Sequence, residues 1–353
     1  MPKYGLIGYP IAHSLSPRLF GAAYGGHFRY DLLEYESFDE AFRLFMKSYD
    51  AVNVTAPFKE QAFERARVRS RECELIGAAN ILVKTPRGLS CFNSDCSAVK
   101  VLLESARRKV SGSFPFGYQK EESSEIGGDG LNALEPEGKK AARVLVVGCG
   151  GAGKAAIVAA ALMGMEVTVM NRNISRALGF VQALNQRLSA GGRGPAGSLA
   201  GGSAGSVKVL PIENFQSAVQ ENDILIYTAP APLDCFPFKE REGALRGAEK
   251  TGTAVARPDS INGETVSDDV ANALPDAPYC KSVSKGTSAG TSCLKAVIEA
   301  NYRNPSFSPE VLSRLPKAME YIPGQQWLLQ QALTGYKLMT GQSPDSQALS
   351  EVF

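Results

Sequence analysis

Two segments of this 353-residue chain combine residue types at spacings that can do chemistry. The first is Asn53-Val54-Thr55-Ala56-Pro57-Phe58-Lys59. Proline suits the first position of a helix, so a helix opening at Pro57 and running through Glu64 would hold Lys59 in its first turn. The positive end of a helix disfavours an ammonium there, which suits a lysine that must exchange a proton. An exposed lysine at a helix start is the commonplace alternative. The second segment holds Gly148, Gly150 and Gly153 in the pattern G-x-G-x-x-G, between a buried apolar run (143–147) and a small-residue helix (KAAIVAAALMG). That context makes the glycines a dinucleotide turn rather than an arbitrary one. Gly148 permits the turn, Gly150 lets backbone approach a pyrophosphate, and Gly153 lets helix and strand pack closely. The helix start then offers free N–H groups and partial positive charge to phosphates.

The type of nucleotide is readable further on. An NAD site places an acidic residue after the second strand, to bind the ribose hydroxyl. Here that strand (166–170) runs into Asn171-Arg172-Asn173, with Arg176 beyond. Arg172 can pair with a 2′-phosphate, so the cofactor expected is NADP; one more solvated arginine is the alternative. On the substrate side, Ser14 and Ser16 are two apart. If their segment is extended they face one side and can donate to one carboxylate. Turn chemistry is the ordinary alternative for an isolated pair. Asn80 and the run Asn93-Ser94-Asp95 add polar groups beside the apolar runs at 81–83 and 91–92.

The elements that must position these groups alternate. Residues 4–8, 32–35 and 51–54 read as strands, 38–47 as a helix with Phe38, Ala41, Phe42 and Phe45 on one side. The runs RVLVV, EVTVM and DILIY (223–227) read as parallel strands. Alternation of this kind predicts an α/β fold. The chain closes in a predicted helix over 324–341, with Trp327, Leu328, Gln331, Leu338 and Met339 near helical spacing. Residues 111–140 and 189–206 read as insertions, polar in the first case and Gly/Ala/Ser-rich in the second. Residues 235–292 show no clear pattern.

Composition narrows the function classes. Lys plus Arg number 38 against 36 Asp plus Glu, a balance that argues against nucleic-acid or membrane-surface partners. No apolar run approaches a membrane span, and the N-terminus lacks a signal-peptide shape. A cytoplasmic location is expected. Seven cysteines without a C-x-x-C pair fit reduced thiols, and two histidines are too few for a multi-histidine metal site.

Taken in order, GYPIAHSLSP, NVTAPFKE, GAANILV, NSD, GCGGAGKAA, NRN and G-x-x-W-L-x-x-Q-A resemble the shikimate dehydrogenase family. The resemblance covers residues 4 to about 100, 143–177 and 299–341. It implies reversible NADPH-dependent reduction of 3-dehydroshikimate to shikimate, on the route to chorismate and aromatic amino acids. It implies a two-domain α/β fold: a discontinuous substrate domain (1–105 and 324–353) and a doubly wound, Rossmann-type cofactor domain (106–323). By it, Ser14 and Ser16 bind the carboxylate; Thr55, Asn80 and Gln331 bind hydroxyls, with Tyr302 also on the substrate side. Lys59 is the general acid/base and Asp95 its partner, a carboxylate that favours the ammonium and so opposes the helix-end effect. Gly148, Gly150, Gly151, Ala152, Gly153, Asn171, Arg172, Arg176 and Gly324 fall on the cofactor side. Tyr227-Thr228-Ala229-Pro230 and Glu299 depart from the family pattern. An NAD-preferring quinate/shikimate dehydrogenase and a non-catalytic shikimate-binding regulator are the alternatives; the intact Lys59 and Asp95 speak against the second.

Overall fold

The computed structural model describes residues 1–110, 141–190, 205–233 and 294–353. The tracts 111–140 and 235–292, and 191–204 of the Gly/Ala/Ser-rich run, lie outside these residues.

The N-terminal sheet is built from β1 (Lys3–Gly8), β2 (Arg29–Glu34), β3 (Ala51–Val54), β4 (Val68–Arg69), β5 (Ile81–Thr85) and β6 (Gly88–Phe92). Its order is β2-β1-β3-β5-β6-β4. β2, β1 and β3 run parallel, whereas β5 is antiparallel to both β3 and β6. The helices α1 (Ser16–Ala23), α2 (Phe38–Ser48), α3 (Lys59–Arg65) and α4 (Arg71–Ile76) join these strands. The helix predicted from Phe38, Ala41, Phe42 and Phe45 is α2; Phe38, Ala41 and Phe45 are buried, whereas Phe42 is half-buried.

The chain then passes through α5 (Ser94–Val110) into a second sheet of β7 (Arg143–Val147), β8 (Glu166–Met170), β9 (Val207–Val209), β10 (Ile224–Tyr227), β11 (Ala296–Glu299) and β12 (Glu320–Ile322). It is parallel throughout, in the order β12-β11-β10-β7-β8-β9. This is the doubly wound order, in which the direction of winding reverses between β7 and β10. The strands at its centre are buried on both faces, which explains their unbroken apolar runs. The helices here are α6 (Gly151–Leu162), α7 (Ile174–Ala190), α8 (Phe215–Glu221) and α9 (Pro309–Ser313); α10 (Gly324–Thr340) and α11 (Ser346–Ser350) close the chain. α6 presents mostly alanine, so eight of its residues are buried.

Two helices tie the sheets together. α5 packs on α6 and on α10. α10 divides its contacts: Trp327 lies in the apolar cluster built around α6 and the second sheet, whereas Leu328, Leu329, Ala332 and Tyr336 join Tyr4, Phe20 and Ile81 under the first. Leu338, placed by its spacing on the apolar side, is exposed.

Candidate active site

A cleft between the two sheets holds a cavity of about 560 Å³. Its walls include Ser14, Ser16, Thr55, Lys59, Asn80, Tyr302 and Gln331. The substrate-side residues expected from the sequence are therefore brought together, although they come from positions more than 300 residues apart.

Lys59 is the first residue of α3. Pro57, expected to open that helix, lies outside it. A turn closed by the Phe58 N–H donating to the Thr55 carbonyl occupies that stretch, and the Ala56–Pro57 peptide is cis. The helix begins two residues later, which still leaves Lys59 at its start. Lys59 Nζ donates to Asp95 Oδ2 at 2.6 Å, with the lysine side chain 20% exposed and the aspartate 4%. Asp95 sits in the first turn of α5, where the helix end favours a carboxylate.

Asn93 starts α5. Its Oδ1 accepts from Cys96 N, and its Nδ2 donates to the Ala78 carbonyl. Asn80 reinforces this start: Oδ1 accepts from Ser94 N at 2.8 Å and Nδ2 donates to Ser94 Oγ at 3.1 Å. An amide nitrogen has two hydrogens, so one remains after the Ser94 bond. Gly335 lets α10 come close here, since a Cβ at that position would lie 3.1 Å from Ile81 Cδ1 and 3.2 Å from Ser94 Oγ.

Ser14 and Ser16 do not lie on an extended segment. Ser14 N donates to the Ile11 carbonyl in a turn, and Ser16 is the first residue of α1. The turn nonetheless sets the two hydroxyl oxygens 3.1 Å apart, close enough to address one anionic group together. The wall residues without an assigned role in the sequence reading include Asn53, Ser94, Arg303 and Tyr336. Tyr30 donates to Asn53 Oδ1 at 2.9 Å, which leaves the Asn53 amino group to the cavity. Tyr336 donates to the Ser16 carbonyl at 3.4 Å, and burial pushes its phenol far up, so it stays protonated. Its signal in the sequence was the i, i+4 row Leu328, Ala332, Tyr336. Arg303 bonds the Tyr302 hydroxyl and the His13 carbonyl, and so links the two sides of the cleft.

The glycine turn lies outside the cavity walls and approaches the site where Gly151 faces the Lys59 side chain. Gly148 has φ +105°, and a Cβ there would meet Thr228 Oγ1 at 2.4 Å. A Cβ on Gly153 would lie 2.1 Å from the Gly148 carbonyl oxygen. Both glycines are thus required by close backbone approach at the point where the winding reverses, between β7 and β10. A Cβ on Gly150 would meet nothing within 4 Å, so that side of the turn has room for a ligand beside the first N–H groups of α6. Gly151 faces Lys59, with 3.3 Å between the position of a Cβ and Lys59 Cδ. Asn171 Oδ1 accepts from Cys149 N and braces the turn. Asn173 caps α7 by accepting from Arg176 N. Arg172 and Arg176 are exposed at that end of the sheet. Gly324, expected on the cofactor side, starts α10 against the Asn301 backbone, where a Cβ would lie 2.5 Å from the Asn301 carbonyl carbon.

Glu299, the strand residue that departs from the family pattern, is fully buried. It accepts from Ser306 N and the Tyr321 hydroxyl. Burial raises its carboxyl above the ordinary range against these bonds. Among the described residues, no group of three or more His, Cys, Asp or Glu is placed to hold a metal ion. No helix among them is long and apolar enough to cross a membrane.

Comparison with known proteins agrees with this geometry. Residues 6–82 match the model of the shikimate dehydrogenase substrate binding domain, and residues 121–237 that of the alanine dehydrogenase/PNT C-terminal domain. A shikimate dehydrogenase of Thermotoga petrophila is 32% identical over 181 residues, covering 50% of this chain and 57% of that protein. A shikimate dehydrogenase (NADP(+)) of Maricaulis maris is 28% identical over 229 residues, covering 63% and 65%. The chain thus spans little more than half the length of such curated relatives. Among solved structures, the shikimate 5-dehydrogenase of Thermus thermophilus with NADP(H) and shikimate superposes at TM-score 0.59 and 21% identity, over 100% of this chain and 98% of that one. The quinate dehydrogenase of Corynebacterium glutamicum with NAD superposes at 0.64 and 16%, with the same coverage. By the match over residues 6–82 and by its two-domain α/β fold, the chain is similar to the shikimate dehydrogenases.

Proposed function

We propose that this protein is an NADP-dependent shikimate dehydrogenase that interconverts 3-dehydroshikimate and shikimate, a step toward chorismate and the aromatic amino acids. The observation that carries the reading is the Lys59–Asp95 pair, 2.6 Å apart, with Lys59 in the cavity wall and against the glycine turn at Gly151. A pure binding protein needs no acid/base pair at that junction.

The glycine turn and the start of α6 suit a pyrophosphate, and Arg172, with Arg176 beside it, suits a ribose 2′-phosphate. A bound NADP would supply the hydride. Lys59 gives a proton to the oxygen of the carbonyl being reduced and takes it back in the reverse direction. Asp95 holds the ammonium in place. Ser14 and Ser16 donate to the substrate carboxylate. Thr55, Asn80, Tyr302 and Gln331 contact the remaining polar groups and fix the ring, so that the reacting carbon faces the turn. The substrate domain is assigned to residues 1–105 and 324–353 and the cofactor domain to 106–323; α5 and α10 are the helices at the junction.

The test is steady-state oxidation of shikimate with NADP, beside quinate and NAD. Shikimate with NADP should give the highest kcat/KM of the four pairings. Preference for quinate and NAD would replace this reading with the quinate/shikimate alternative. Tight shikimate binding without turnover would make the protein a sensor.

A further inference from the structure

Asp95 uses one carboxylate oxygen on Lys59 and the other on a group that no sequence motif suggests. Trp327 Nε1 donates to Asp95 Oδ1 at 3.4 Å. Both residues are 3% exposed. A buried carboxylate oxygen without a donor is costly, and an indole N–H is a donor only, which needs an acceptor when it is buried. Each group therefore answers the other's requirement.

Trp327 also belongs to the apolar cluster that includes Cys96 and Val99 of α5 and Ala155 and Ile157 of α6. Its ring is thus anchored in the cofactor-side core while its nitrogen reaches the pair on the substrate side.

We infer that Trp327 is a positioning residue for the reaction: its indole N–H fixes the Asp95 carboxylate, and through it the Lys59 ammonium, when α10 is seated against α5. This rests on the proposed function for its kinetic arm alone. It acts through Asp95 and touches no reacting atom.

Trp327 is the chain's only tryptophan, so its emission reports on this contact without substrate. Excitation moves electron density from the pyrrole toward the benzene ring of indole, and a negative charge at the pyrrole nitrogen stabilises the excited state. Asp95→Asn removes that charge while keeping the shape, and should shift the emission of the folded protein to the blue. Trp327→Phe keeps an aromatic ring and removes the N–H. It should lower kcat about tenfold, as expected for one bond to a charged group, with KM unchanged. Identical emission in wild type and Asp95→Asn overturns the inference. So does a Trp327→Phe enzyme with wild-type kcat. If Trp327→Phe fails to fold, or if the wild type turns over neither shikimate nor quinate, the emission comparison decides alone; lack of turnover counts against the proposed function, not against this contact.

Discussion

Lys154, at the start of the helix that follows the glycine turn, donates to Glu60, the residue beside Lys59, at 2.7 Å across the cleft. The two halves of the site are thus pinned one residue away from Lys59, the proposed acid/base. The Arg303 bond to the His13 carbonyl makes a second crossing.

The Lys154–Glu60 pair predicts a pH-dependent stability contribution. Lys154 holds the Glu60 carboxyl below the usual glutamate range by its hydrogen bond. A folded value below the unfolded one means the contribution is present at neutral pH. It is lost as pH falls through the ordinary glutamate range toward the folded value. Glu60 is largely exposed, so solvent screening limits the effect to under about 1 kcal/mol. Urea midpoints of wild type and Glu60→Gln should differ slightly at neutral pH and low salt, and converge in acid or high salt. A difference that grows on acidification would contradict this.

Lys59→Ala should lower kcat by about 10²–10⁴-fold and leave KM for shikimate much less affected. The proposed role puts its ammonium on the reacting oxygen and leaves binding to the hydroxyls and amides around it. Steady-state kinetics with shikimate and NADP separate the two; near wild-type kcat would remove Lys59 from proton transfer.

Wild type should favour NADP over NAD in kcat/KM by roughly tenfold or more, because bonds to a charged group contribute about 1.5–3 kcal/mol each. Arg172→Ala should weaken use of NADP and spare NAD, which has no 2′-phosphate to lose. Equal loss with both cofactors would make Arg172 structural.

Gly153→Ala should disrupt the turn. The added carbon would sit 2.1 Å from the Gly148 carbonyl oxygen, a backbone atom that cannot swing aside. Overpacking of this kind costs about 1–3 kcal/mol. The melting temperature should fall and NADP should no longer protect the protein against heating. Gly150→Ala, where a Cβ meets nothing, should leave the melting temperature of the free protein unchanged while impairing NADP binding.

What the sequence determined by itself was local. Continuous apolar runs such as RVLVV and EVTVM marked buried parallel strands, and β7 and β8 have those bounds. Glycine spacing marked the nucleotide turn, because only glycine tolerates such backbone approach. The motif order pointed to a family resemblance and to the residue roles that it implies. Local reading failed where the chain's course depends on hydrogen bonds outside the segment. Pro57 was drawn to a helix start, yet a turn onto Thr55 excludes it; Ser14 and Ser16 meet through a turn and a helix start rather than along a strand. Tertiary structure alone decided the pairings across the cleft: Trp327 with Asp95, Lys154 with Glu60, Arg303 with His13. Nothing near any of these residues in sequence specifies its partner. Two sheets joined by α5 and α10 bring them within bonding distance, and for the buried Asp95 and Trp327 desolvation also makes an unpaired charge or donor costly.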